Sequence, residues 1–396
     1  MKRLRDPNWV LTFVFVALIA AIPLAQTIME AMGDEGVVAF ELFNEKPTAV
    51  NLRNYEKRLE TTSWAGRVSR PVIQFAQFGW LKYGGEKMVV ARDGWYFFKP
   101  GLNYMLARPE IAKHGSATND PVAAILDFRD QLAARGFKLL VVPVPNKDSV
   151  YPDRLSARAG KMRSVMAPRT REVMEKLRAA NVEVVDLFAE FREAREKSGG
   201  AGTPLYLAQD THWSPAGVNI AAKAVARRLN ELGWVSSGKT EYSERAAPVE
   251  RVGDIVKMLQ APNIERTVTP EMVSAVQVVR GDNGQLYKDD PNAEILVMGD
   301  SFMRIYQEDA PNGAGFIAHL AKELKQPVLS LVNDGGGATL VREELCARPI
   351  YLRHKKVVIW EFVERDIGLA VKGWQRTALP ADAPKAAAAD QSADRK

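Results

Sequence analysis

The sequence predicts an α/β fold of three layers, α/β/α, with helices on both faces of a mostly parallel sheet. Two observations carry this. From Asp120 onward amphipathic helical stretches alternate with short apolar runs, the order that right-handed crossovers impose on a parallel sheet. The uninterrupted apolar run Ile295 to Met298 passes straight into Gly299-Asp300-Ser301, as a strand buried on both faces does when it ends in a tight turn.

Val122 to Arg135 has apolar residues at helical spacing (Ala123, Ile125, Leu126, Phe128, Leu132), and Gly136 is placed to end the helix. A strand from Phe137 to Val144 follows, then a helix from Lys161 to Ala180 and a strand from Val182 to Leu187. Ser214 and Pro215 suit the N-cap and first position of a helix running to Leu232. Further on come the strand 295–298, a helix from Phe316 to Leu324, a strand from Val328 to Val332 and a last strand from Val357 to Val363. Upstream, Met88 to Phe98 reads as two strands around an Asp93-Gly94 turn. Residues 51–60 and 64–82 read as a helical extension. Periodicity is lost between Tyr242 and Asp290, where an insertion with a hairpin between Glu265 and Val279 and a turn at Gly281 to Gly284 is expected. From Ala378 no core-forming pattern remains, and a disordered tail is expected.

Lys2, Arg3 and Arg5 precede the uncharged apolar stretch Trp9 to Ala25, the layout of a secretory signal or a signal anchor, in either case with its basic end in the cytoplasm and the remainder exported. Pro23 spoils a cleavage site after Ala25, which favours an uncleaved anchor in the inner membrane. The expected organisation is an anchor at 1–30, an extension with hairpin at 31–110, a main domain at 111–370 and a tail at 371–396. A net charge of +6 over 396 residues, without a concentrated basic face interleaved with aromatics, argues against nucleic acid. The basic run Arg154 to Arg171 admits a polyanion. One cysteine, Cys346, excludes an internal disulfide, and neither a metal motif nor a nucleotide fingerprint occurs, so no metal or cofactor is expected.

Ser301 at a strand's carboxyl end is presented as a nucleophile is, and it needs a base. Of the four histidines only His212 has a carboxylate placed to orient it, Asp210 two residues upstream. His114, His319 and His354 read as surface or structural residues. Asp300 suits a helix cap. The Ser301 N–H is the natural oxyanion donor, and Asn333 and Gly335, after the 328–332 strand, are candidates for the second. Asn146 and Lys147 at the end of the 137–144 strand, with Arg304 and Tyr306 after the serine, are candidate substrate contacts.

Gly299-Asp300-Ser301-Phe302, with Asp210-Thr211-His212-Trp213 upstream, resembles the SGNH-hydrolase-like domain of the AlgJ/AlgX group of bacterial exopolysaccharide O-acetyltransferases. The resemblance extends to Arg92 to Phe98, to Val141 to Lys147 with Tyr151-Pro152, and to Trp360 to Asp366, and so spans about 85–370. Ordinary SGNH esterases carry the Gly-Asp-Ser block first and the Asp-His pair last; here the order is reversed, as in that group. The resemblance implies a periplasmic enzyme that acetylates an alginate-like polysaccharide through a Ser-His-Asp triad. It also implies a membrane-bound O-acyltransferase as acetyl donor. An acetylesterase with the same triad and a glycan-binding scaffold of an export complex are the alternatives.

Overall fold

The computed structural model describes residues 7–33, 36–44, 46–107, 119–199, 202–259 and 263–386. Lys2, Arg3, Arg5 and His114 lie outside the described residues, as do positions 387–396 of the tail. The chain divides into two compact units, Met1–Gly84 with Leu259–Ile264, and Gly85–Met258 with Glu265–Lys396. The second unit thus takes in the 88–98 hairpin, well upstream of the boundary near 110 that composition suggests.

In the first unit a helix covers Pro7–Ala31, and its segment Trp9–Ala31 has a mean hydropathy of 2.2 over its most apolar window, with none of that window buried. Its 23 residues reach about 35 Å at 1.5 Å per residue, enough for a hydrocarbon core of about 30 Å. The helix is therefore a candidate membrane anchor. Two more helices follow, Ala49–Thr62 and Trp64–Leu81, capped by Thr48 and Ser63, whose hydroxyls accept from the N–H groups of Asn51 and Gly66.

In the second unit β1 (Met88–Val90) and β2 (Tyr96–Phe98) pair antiparallel across a turn in which Asp93 and Gly94 both have positive φ (55° and 76°). The main sheet contains β3 (Lys138–Val144), β4 (Glu183–Val184), β9 (Ile295–Gly299), β10 (Leu329–Val332) and β11 (Val357–Val363). They stand in the order β10-β9-β11-β3-β4, all parallel. Alternate residues feed two cores, as the period of a strand requires. Leu140, Val142, Ile295, Val297 and Ile359 pack with Val218, Val225 and Leu229 of helix Pro215–Glu231 and with Phe316 and Leu320 of helix Phe316–Leu324. Leu139, Val141, Leu296, Met298, Val358 and Trp360 pack with Ile125 and Phe128 of helix Pro121–Ala133, Leu177 of helix Pro168–Ala179 and Leu345 of helix Thr339–Ala347. This is the three-layer α/β/α architecture expected.

Several elements depart from the sequence reading. The helix expected from Lys161 starts at Pro168, because the residue preceding a proline is held out of the helical region. The strand expected at 182–187 is cut to two residues, since Asp186 caps a helix over Leu187–Lys197 by accepting the Ala189 N–H. In the insertion, β5 (Tyr242–Ala246) and β6 (Val249–Arg251) pair antiparallel with β8 (Val276–Arg280) and β7 (Glu271–Val273). No hairpin forms between Glu265 and Val279; both of its arms pair with the preceding strands instead. The turn at Gly281 to Gly284 is present, with Gly284 at φ 65°. The tail is not disordered through Ala386: Trp374, Leu379 and Ala383 are buried in the second core. The Leu379 and Ala386 N–H groups donate to Gln131 Oε1 (2.7 Å) and the Arg135 carbonyl (2.8 Å).

Candidate active site

Ser301 follows β9 at the carboxyl edge of the sheet, where loops are free to carry function. Gly299 is required at the bend, because a Cβ there would stand 2.3 Å from Glu361 Oε2. That same oxygen of Glu361, on the neighbouring β11, accepts the Asp300 N–H at 3.0 Å. Asp300 caps the short helix Ser301–Arg304 through the Phe302 N–H, as its position suggested. Among the described residues the Ser301 N–H has no protein acceptor, which leaves it free for an oxyanion.

His212 comes from the loop between Leu207 and helix Pro215–Glu231. Its Nε2 lies 2.9 Å from Ser301 Oγ, and its Nδ1 lies 2.6 Å from Asp210 Oδ1. The carboxylate oxygen can only accept, so Nδ1 carries the proton and the lone pair of Nε2 faces the serine hydroxyl. Trp213 fixes the same junction by donating its indole N–H to the Phe302 carbonyl at 3.1 Å.

The loop is clamped from several sides. Lys147 Nζ donates to the carbonyls of Tyr96 (2.6 Å), Ala208 (2.7 Å) and Asp210 (3.1 Å), and it lies over the rings of Trp95 and Phe97. Burial pushes its pKa down to about 7, yet three carbonyl acceptors match all three hydrogens of the ammonium form, which we assign. From the insertion, the Glu271 carboxylate accepts the Ala208 and Gln209 N–H groups at 2.7 and 2.6 Å. Gly253 approaches so closely that a Cβ would meet the Gln209 carbonyl oxygen at 2.0 Å.

Two residues unforeseen in the sequence hold Asp210. Arg251 Nε donates to Asp210 Oδ2 at 2.9 Å, and the Asp254 N–H donates to the same oxygen at 3.2 Å. The Asp254 carboxylate accepts the Thr211 N–H at 2.7 Å and lies 3.6 Å from His212 Nδ1. Burial alone would raise the Asp210 pKa, but the charge and hydrogen bond of His212 and the Arg251 guanidinium hold it well below the usual carboxylate range. Burial alone would lower His212; the Asp210 charge and hydrogen bond outweigh it, and its pKa is raised. Burial, and then the charge of Asp210, pushes Asp254 up to about 6. Asp210, His212 and Asp254 present ligand atoms within 4.8 Å of one another, but the Arg251 cation already sits on Asp210, where a metal ion would have to bind.

Most of the other sequence candidates are engaged by protein partners, although Asn146 Nδ2 is buried with none among the described residues and Gly335 is exposed. Lys147 and Asn146 are buried: Lys147 is spent on the histidine loop, and Asn146 accepts the Arg365 N–H at 3.3 Å and donates its own N–H to Glu364 at 2.9 Å. Tyr306 is wholly buried and donates to the Trp213 carbonyl at 3.2 Å. Arg304 is tied to Asp309 and, at 2.8 Å, to Asp334. Asn333 gives its N–H to the Gly299 carbonyl and its side-chain amide to Glu344, so it is a poor oxyanion donor; Gly335 is exposed with φ 67°. His319 is buried with Nε2 3.1 Å from the Val276 carbonyl oxygen, a structural role. Among the described residues two cations beside the site, Lys147 and Arg365, have no carboxylate within ion-pair distance; Lys147 is spent on carbonyls, and Arg365 is less buried. Arg365 has its guanidinium 5.8 Å from the Phe302 ring, while the His212 ring lies 4.8 Å from the same ring.

A serine hydroxyl, an imidazole and a carboxylate hydrogen-bonded in this order at the edge of a parallel sheet are the groups that acyl transfer uses. Residues 88–364 match the family model described as "SGNH hydrolase-like domain, acetyltransferase AlgX", and the chain belongs to that family. It is 26% identical over 329 residues to the probable alginate O-acetylase AlgJ of Pseudomonas putida, covering 78% of this chain and 75% of that protein. The fold matches the solved O-acetyltransferase domain of Pseudomonas putida AlgJ with a TM-score of 0.57 at 23% identity, over 71% of this chain and 92% of that one. It matches Pseudomonas aeruginosa AlgX with a TM-score of 0.51 at 20% identity, over 70% and 62%.

Proposed function

We propose that this chain transfers acetyl groups to hydroxyls of an alginate-like exopolysaccharide through an ester on Ser301. The contact between His212 Nε2 and Ser301 Oγ, with Nδ1 held by Asp210, carries the reading. As Oγ attacks the acetyl carbonyl, Nε2 takes the hydroxyl proton and the Ser301 N–H receives the developing oxyanion. Collapse breaks the bond to the donor, whose leaving oxygen takes the proton from Nε2. A sugar hydroxyl then gives its proton to Nε2 and attacks the acetyl-serine carbonyl, and Ser301 Oγ leaves and recovers a proton. Asp210 holds the tautomer throughout and stabilises the imidazolium. Arg365, beside the site and without an ion pair among the described residues, is placed to meet an acidic sugar.

The proposal includes the setting: the chain anchored in the inner membrane by helix Pro7–Ala31, the second unit in the periplasm, and a membrane-bound O-acyltransferase delivering the acetyl group. Membership of the acetyltransferase family and the apolar amino-terminal helix support it. The test is purified protein with a small acetyl donor, with and without a mannuronate oligosaccharide. Acetylated oligosaccharide formed by wild type and absent with Ser301→Ala is the expected result. Donor hydrolysis at one rate whatever the acceptor, with no acetylated sugar, would make the protein an esterase and overturn the reading.

A further inference from the structure

Helix Trp64–Leu81 has an apolar face that no described residue of the first unit covers. Trp64, Val68, Val72, Ile73, Phe75 and Trp80 are between 38% and 86% exposed. At about 3.6 residues per turn they fall, with Ala65 and Ala76 between them, within about half of the circumference, while Arg67, Arg70, Gln74 and Gln77 take the other side. Phe78 is the helix's one buried side chain, and the helix packs on helices Pro7–Ala31 and Ala49–Thr62. A face this apolar on a water-soluble surface would favour aggregation unless something covers it.

Its attachment identifies the cover. Gln26, near the end of the apolar span Trp9–Ala31, accepts the Trp64 N–H on its Oε1 at 2.6 Å and donates its Nε2 to the Thr62 carbonyl at 3.2 Å. The start of helix Trp64–Leu81 is thereby fixed beside the last turns of the candidate anchor, which in a bilayer spanned by that anchor would lie where hydrocarbon gives way to headgroups. Residues 61–85 carry Arg67, Arg70 and Lys82 and no acidic residue, a balance that anionic headgroups favour. Trp64 and Trp80 stand near the two ends of the helix, and Tyr83 follows it, side chains that settle at a membrane interface.

We propose that helix Trp64–Leu81 lies on the bilayer with this face among the lipid acyl chains, a second membrane contact beside the spanning helix. The inference rests on reading Pro7–Ala31 as an anchor and is independent of the chemistry at Ser301. A chain held at two places next to each other has its first unit oriented on the membrane instead of swinging from a single tether.

The test uses the full chain with Cys346→Ser and single cysteines placed by Val72→Cys, Phe75→Cys, Arg67→Cys and Gln74→Cys, and Leu18→Cys on the anchor. Each variant is labelled with an environment-sensitive fluorophore and reconstituted at low density in phosphatidylcholine and phosphatidylglycerol vesicles, with and without nitroxide-labelled lipid. Nitroxide lipid is expected to quench the labels at 18, 72 and 75 at least about two-fold and to spare those at 67 and 74, because an interfacial helix buries only its apolar face. Quenching at 18 but not at 72 and 75 overturns the proposal and leaves the anchor standing. If 72 and 75 are then open to aqueous iodide the face is free, and if they are shielded a second copy or another protein covers it. No quenching at 18 removes the anchor reading and this proposal together.

Discussion

Arg251→Met tests whether the insertion tunes the histidine. The substitution keeps much of the side chain's bulk and removes the donor 2.9 Å from Asp210 Oδ2, leaving that oxygen the Asp254 N–H at 3.2 Å. Breaking a buried ion pair on one side costs about 3–5 kcal/mol. Arg251 is 19% exposed and water screens part of the interaction, so about 2–3 kcal/mol is expected, or roughly 3–5 °C in Tm for a domain of this size. Asp210 has a depressed folded-state pKa, so its contribution is fully present above the unfolded value of about 3.9 and is lost as pH falls through the folded one. The Tm gap between wild type and variant should be complete at neutral pH and should close in acid. With Arg251 gone, the less neutralised Asp210 draws the imidazolium more strongly, and the acid limb of the pH–rate profile moves to higher pH. Scanning calorimetry across pH and acetyl-donor kinetics read both effects. A Tm gap independent of pH, or an acid limb that stays in place, would refute the reasoning.

Asp254→Asn should move the acid limb the opposite way, because it removes the second negative charge facing His212 while an amide oxygen can still accept the Thr211 N–H. Asp210→Asn should lower kcat by orders of magnitude, since the amide can hold the wrong tautomer, and should also lower the His212 pKa; proton NMR of the imidazole would follow the titration. Gly253→Ala places a methyl 2.0 Å from the Gln209 carbonyl oxygen, so the Asp210–His212 loop must shift, and activity should fall about ten-fold or more at modest cost in Tm. Lys147→Met should cost about 2–4 kcal/mol by stranding three buried carbonyls and should reduce activity with it, measured by denaturant titration alongside turnover.

The parts of the site legible in the sequence are those whose local pattern and chemistry coincide. Ser301 ends a continuous apolar strand, and Asp210 stands two residues before the one histidine with a nearby carboxylate, so both could be singled out without knowing the fold. Arg251, Asp254, Glu271 and Gly253 lie in an aperiodic insertion, and their roles come from long-range contacts that leave no trace in spacing. Glu361 did leave one: a carboxylate in the fully buried run Val357–Val363 has to meet a donor, and it meets the Asp300 N–H. In the sequence Lys147 and Tyr306 read as candidate substrate contacts because they follow strand ends at the expected rim, whereas burial and hydrogen bonding place them in the framework. The tail misled because Ala and Pro show no period, while its core contacts come from the isolated Trp374 and Leu379.

The central claim is that the acetyl group rests on one oxygen, Ser301 Oγ. Brief incubation with an acetyl donor, acid quench and peptide mapping by mass spectrometry locate it directly. The account predicts one acetyl on the peptide containing Ser301, discharged by added oligosaccharide and absent with Ser301→Ala or His212→Ala. Acetyl-sugar formation that persists in Ser301→Ala, or an acetyl mapped to another residue that turns over at the rate of the reaction, would contradict it.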